Sequence, residues 1–238
     1  WHLELDGELD LAGLTASQRE AAGKTATDMG LDGKHVITLA RSSVEGFLTF
    51  SSRRDLREEA FRAWAARGAK DGATDNRSLL SEIVALRSEL ATLMGFATYA
   101  DYVLQETMAK TPDAVNDLLI KVWRPAVAQA LEERDALAAL AKSEGENAEI
   151  EPWDWRYYAE KQRKAKYDLD EAELSPYLSL ENVVNAAFDT ANKLFGLTFT
   201  LVENAPVYHQ DCRVFDVRDE DGNHIAVFIG DYFARPSK

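Results

Sequence analysis

Four side chains near the end of this chain carry the donor atoms that a metal site or a nucleophile would use: His209, Asp211, Cys212 and His224. Imidazole, thiolate and carboxylate together make a zinc ligand set. Their spacing matches no standard zinc pattern, so they converge on a metal only if strand register brings them together. The other reading is ordinary sheet and loop residues. His2 and His35 complete the histidines, and none of the four begins an H-E-x-x-H helix. Such a helix sets two imidazoles on one face with a glutamate beside the metal-bound water. Cys212 has His209 nearby for a thiol–imidazole pair, yet no G-x-S-x-G elbow or oxyanion device accompanies it, and a structural thiol is the default. Asp168, Asp170, Glu171 and Glu173 have the charge for carboxylate catalysis or a cation site. They lack the glycine and alternating ligands of an EF-hand, and read instead as residues that solvate a turn and charge the start of the next helix. No catalytic residue and no metal ligand is assigned to this chain on these grounds.

The elements that must position these groups are mostly helical. Ser17 to Met29 reads as a short amphipathic helix stopped by Gly30. HVITL (35–39) reads as an isolated strand or extended connector. Leu56, Ala60, Phe61 and Trp64 form a helical stripe ending at Gly68, and Asp75 or Asn76 is placed to cap the next helix. That helix repeats Leu79, Ile83, Leu86, Leu90 and Leu93 at three and four residues, a face expected to pack on neighbouring helices. Thr111-Pro112-Asp113 is a helix start, with a hydroxyl cap, a proline at the first helical position and an acid in the first turn. The pattern runs on towards Gly145, and Pro125 inside it predicts a kink or break.

Asp154 is placed to cap a further helix whose Trp155, Tyr158, Ala159, Gln162 and Ala165 share a face, with Glu160 and Lys164 spaced as an i,i+4 pair. The aromatic set Trp153, Trp155, Tyr157, Tyr158 and Tyr167 reads either as helix packing or as anchors for a peptide. Lys161, Arg163, Lys164 and Lys166 read as a solvated, salt-bridged face. A last amphipathic stripe, Val184 to Phe195, closes at Gly196. The period then changes to two: LTFTLV, CRVFDVR and HIAVFIGDYF read as strands, with DEDG as the turn between the last two. The fold class is therefore mainly α, a multi-helix body with a small antiparallel β-sheet near the C-terminus. Residues 1–145 read as mainly helical, 146–205 as helical with the start of the sheet, and 206–238 as a β-hairpin.

Composition narrows the function classes. The 238 residues include 46% hydrophobic and 29% charged, the balance of a globular chain. A net charge of −14 argues against nucleic acid or an anionic membrane as partner, since phosphate binding needs concentrated positive charge. Cys212 is the single cysteine, so no internal disulfide forms, which fits a reducing cytoplasm. The first residue is Trp1 rather than Met, and the chain stops just after a strand-like run. Both ends read as those of a piece of a longer chain.

Two stretches carry a resemblance: PWDWRYYAEKQRKAKYDLDE (152–171) and PVYHQDCRVFDVRDEDGNHIAVFIGDYFARPSK (206–238). HVITL, RDLREEAFRAW (54–64), DNRSLLSEIVALRSELATLMGFATYADYVL (75–104) and MAKTPDAV (108–115) follow the same family's order. The chain resembles the thimet oligopeptidase family of zinc metallopeptidases over nearly its whole length. The GDYFAR form is most similar to the peptidyl-dipeptidase, or dipeptidyl carboxypeptidase, branch. The resemblance implies a portion of a larger two-lobed helical peptidase whose lobes enclose a channel with zinc at its floor. It implies peptide substrates, release of C-terminal dipeptides and zinc as cofactor of the parent. It also implies that the zinc ligands and catalytic glutamate lie in a downstream catalytic half, so that this chain alone binds no zinc and is inactive scaffold and channel wall. By the same resemblance the terminal sheet lies nearest the channel. A β-edge at Phe228, Ile229, Gly230 and Asp231 is then the expected substrate-binding element, its backbone pairing with an extended peptide. Gly230 would permit close backbone approach, or Phe228, Ile229 and Tyr232 anchor the sheet to the helices. A related oligopeptidase with endopeptidase activity and a non-catalytic helical module that binds a peptide or partner are the alternative readings.

Overall fold

Residues 1–146, 149–167, 175–233 and 235 are described by the structure, a computed structural model. The expected carboxylate cluster at 168, 170, 171 and 173 lies outside them. The chain divides into two compact units, Trp1–Asp168 and Leu169–Lys238.

The first unit begins with a strand that periodicity did not announce. β1 (His2–Leu5) pairs antiparallel with β2 (His35–Thr38), Leu3 opposite Ile37 and Leu5 opposite His35. HVIT is therefore not isolated; Leu3 and Leu5 turn into a core that Ile37 also enters. Between the strands runs α1 (Ala16–Asp28), opened by a capping box in which Thr15 and Gln18 each take the other's backbone N–H. The core is completed by Val44, Phe47 and Leu48 of α2 (Arg41–Phe50) and by Ala60 of α3 (Arg54–Ala65). Gly13 is obligatory here: its φ is +87°, and a Cβ would stand 2.2 Å from the Phe50 carbonyl oxygen.

α4 (Arg77–Leu93) and α5 (Tyr99–Leu104) follow. Asn76 occupies the cap position of α4 without a side-chain bond, and Asp75 takes the Arg77 N–H instead. α6 (Pro112–Ser143) starts where expected, with Thr111 Oγ1 accepting the Ala114 N–H. It then runs unbroken through Pro125. A proline deletes one bond of the ladder, and the long helix on either side propagates cooperatively across the gap. The leucine seam of α4 does not pack on neighbouring helices: Leu79, Ile83, Leu86, Leu90 and Leu93 are all exposed, and Ala91 alone in this helix is buried.

α7 (Pro152–Tyr167) returns to the start of the unit and packs on α2 and α3, while Leu137 and Ala141 of α6 close over its Tyr158. Trp153 joins the first core and Tyr158 the second, so these two aromatics serve helix packing. Asp154 lies inside the first turn of α7 rather than at its cap, and there it takes the Glu151 N–H at 3.2 Å. Glu160 is engaged by Arg163.

In the second unit α8 (Leu180–Phe195) is capped by Ser179 and ends at Gly196 in the left-handed conformation. Its sheet runs in the order β3 (Thr198–Leu201), β4 (Arg213–Arg218), β5 (His224–Gly230), antiparallel throughout. Phe188 of α8 lies on one sheet face, stacked on Phe199 at 4.1 Å and edge-on to Phe215 and Phe228. Val184 is the buried residue of α8, whereas Leu194 and Phe195, expected on its packed stripe, are exposed.

Candidate functional site

Among the described residues β5 has one paired side, because it stands last in the order of its sheet. Which of its backbone groups face outward follows from one bond. The Val202 N–H donates to the Val214 carbonyl at 2.8 Å, so Val214 points its backbone at β3. Antiparallel residues alternate between the two neighbours, so Arg213 and Phe215 point theirs at β5. Their partners are Gly230 and Phe228, and these two direct their N–H and C=O inward. Val227 and Ile229 thus carry the backbone groups of the open edge. Of the four expected binding residues, Ile229 has the geometry to pair with an extended peptide, and Phe228 turns its ring into the aromatic cluster under α8.

Gly230 has a local reason to lack a side chain. A Cβ there would lie 2.5–2.6 Å from atoms of the Tyr232 phenol, so the close approach that glycine permits is made by the chain's own Tyr232. Beyond it Asp231 is clamped. The Tyr208 hydroxyl donates to Oδ2 at 2.9 Å, and the two terminal guanidinium nitrogens of Arg235 donate to the carboxylate at 2.8 Å. The guanidinium also sits 5.7 Å from the centroid of the Tyr208 ring. The hydrogen bonds that the Tyr208 hydroxyl makes to Cys212 and to the Asp231 carboxylate push its pKa up to about 12, because both favour the protonated phenol. The same carboxylate raises that of Arg235. Tyr208 is thus held as a neutral donor. Nothing in the periodicity announces this clamp, since its members come from a loop, a strand end and the segment after it.

The four metal-ligand candidates do not come together. His209 faces Asp211 at 3.5 Å, His224 hydrogen-bonds Asp216 of β4, and Cys212 stands beside Tyr208. Among the described residues no group of three or more histidines, cysteines or acids could hold a metal ion. The charge cluster that is buried lies in the first unit and is structural. Arg57 and Asp154 are each 1% exposed, joined at 2.8 Å, with Arg54 adding a second contact to the carboxylate at 2.7 Å. Arg57 also donates to the Ser51 and Trp153 carbonyls. Burial works to raise the Asp154 pKa, but the bonds from Arg54, Arg57 and the Glu151 N–H outweigh it and hold the carboxyl below its usual range.

The chain matches peptidase family M3 over residues 47–238. It is 38% identical to the dipeptidyl carboxypeptidase of Escherichia coli (strain K12) over 229 residues, 96% of this chain and 34% of that protein. The dipeptidyl carboxypeptidase of Salmonella typhimurium is 37% identical over 99% of this chain and 35% of its own length. Oligopeptidase A of Escherichia coli (strain K12) is 35% identical over 100% of this chain, again 35% of its own length. The chain spans about a third of the length of these relatives. It belongs to peptidase family M3.

Proposed function

We propose that this chain is a portion of a zinc-dependent peptidyl-dipeptidase, a peptidase that removes dipeptides from the C-termini of peptides in the cytoplasm. The observation that carries the reading is the identity of 38% and 37% to two dipeptidyl carboxypeptidases along nearly the whole chain. The GDYFAR segment and the open β5 edge support it. No described helix is long and apolar enough to cross a membrane.

The described residues do not fit a zinc site, because His209 and His224 face different carboxylates. The metal and the groups that use it are therefore assigned to the remainder of the parent protein, and no chemical step is routed through this chain. Its own contribution is to hold one wall of the substrate channel. Ile229 and Val227 offer backbone donors and acceptors to an extended peptide, which binds substrates with little regard for side-chain identity. The clamp of Tyr208, Asp231 and Arg235 fixes the chain where it leaves that edge.

Oligopeptidase A is a close enough relative to supply the second reading, endopeptidase action. Peptides with free and with amidated C-termini separate the two in the full-length protein. Stepwise, chelator-sensitive release of dipeptides that requires the free carboxylate is expected. Cleavage within the chain that ignores the C-terminal block would assign the parent to the oligopeptidase type instead.

A further inference from the structure

Two helices of the first unit are apolar over far more of their surface than a solvent-facing helix tolerates. On α4, Leu79, Ile83, Val84, Leu90 and Leu93 are exposed, and at about 100° per residue they sweep an arc of about 180°. On the first half of α6, Leu118, Leu119, Val122, Trp123, Val127 and Leu131 are exposed and sweep about 220°. Leu93 is 83% and Trp123 66% exposed, so these are bare side chains rather than the rim of a packed seam. A surface helix of a globular protein needs an apolar stripe of about 100°; one apolar around most of its circumference is a core helix of a larger body or a membrane span. The second option is closed to both, since no described helix is long and apolar enough to cross a membrane.

We propose that α4 and the first half of α6 are the seat on which the remainder of the M3 protein docks, and that they become interior helices of the full-length fold. Two observations choose this occupant. Relatives that share nearly all of this chain devote only 34–35% of their length to it, which leaves ample polypeptide to cover both helices. The arcs are also too wide for a second copy. A two-fold contact lays one face of a helix against its equal and covers about the 100° of a single stripe, leaving the rest of α6 bare. Covering 180° and 220° takes elements on more than one side. The inference rests on family membership and on this chain being a portion of a longer protein, and it is independent of the activity proposed above.

Thiol labelling of the full-length protein tests it. In a Cys212→Ser background, Ile83→Cys on α4 and Leu119→Cys on α6 probe the apolar arcs, while Ser81→Cys and Lys121→Cys probe the polar sides of the same helices. A maleimide is expected to label the first pair about 100-fold more slowly than the second, at every protein concentration, because access requires local opening. Equal labelling of all four would overturn the proposal. So would protection of Ile83→Cys and Leu119→Cys that appears only as protein concentration rises, since that marks a second copy as the cover. The readout is independent of catalysis, so an inactive or differently specific parent leaves it standing.

Discussion

Asp154 shows how strongly one residue can tie distant sequence together. Its carboxylate joins α7 to Arg54 and Arg57, about a hundred residues earlier, beside a core of apolar side chains. A buried pair adds little over apolar packing while intact, but removing one partner strands the other charge. Asp154→Ala is expected to cost about 3–5 kcal/mol, read as a shift of the denaturant midpoint at constant slope. Arg57→Met combined with Asp154→Leu should recover much of that loss. The pH dependence has a definite sign. The folded-state pKa of Asp154 is lowered, so its stabilisation is present above the ordinary carboxylate range and is lost as pH falls through the depressed value. Acid titration of wild type against the double variant should show the wild type losing stability more steeply below about pH 4. A parallel pair of curves would remove Asp154 as the acid-sensitive group. The sequence offered Asp154 only as a cap, because a local rule sees three residues ahead and not the arginines a hundred residues back.

Elements with local causes were legible, and those completed from afar were not. Thr111-Pro112, Gly196 and the Asp219–Gly222 turn each act through neighbouring backbone, and the helix start, helix stop and hairpin stand where those residues set them. β1 has four residues and finds its partner some thirty positions on, a pairing that no window of periodicity contains. Pro125 carries a local cost that the long ladder of α6 absorbs. The period of HIAVFIG marks a strand but not which of its groups face outward; the Val202–Val214 bond fixes that. This alternation makes a paired prediction. Proline at 229 deletes an outward N–H and no ladder bond, so Ile229→Pro should fold and raise KM for peptides about three- to tenfold, the value of one backbone hydrogen bond. Proline at 228 deletes a bond to Phe215, so Phe228→Pro should instead lower the melting temperature. Equal destabilisation by both would refute the edge assignment, and an unchanged KM in a stable Ile229→Pro enzyme would remove the edge from substrate binding.

At the scale of the molecule, the chain forms two compact units, and each leaves something open. Its first unit has a closed core around β1, β2 and α2, yet α4 and half of α6 stand with their leucines in water. Its second unit offers a sheet edge, and its histidines are each held by a separate carboxylate. A peptidase that activates water needs ligands converging on one metal and a base beside it. None of the described side chains is grouped that way. Residues 1–238 produced alone should therefore show no chelator-sensitive hydrolysis of peptides that the full-length protein cleaves. They should also self-associate, because bare apolar arcs of this width seek any cover available. Light scattering and a fluorogenic peptide assay read the two effects separately. Zinc-dependent turnover by the isolated segment, abolished by chelator and restored by zinc, would mean that it assembles a metal site of its own. A silent monomer would keep the division of chemistry but remove the apolar faces as the reason the segment needs its remainder.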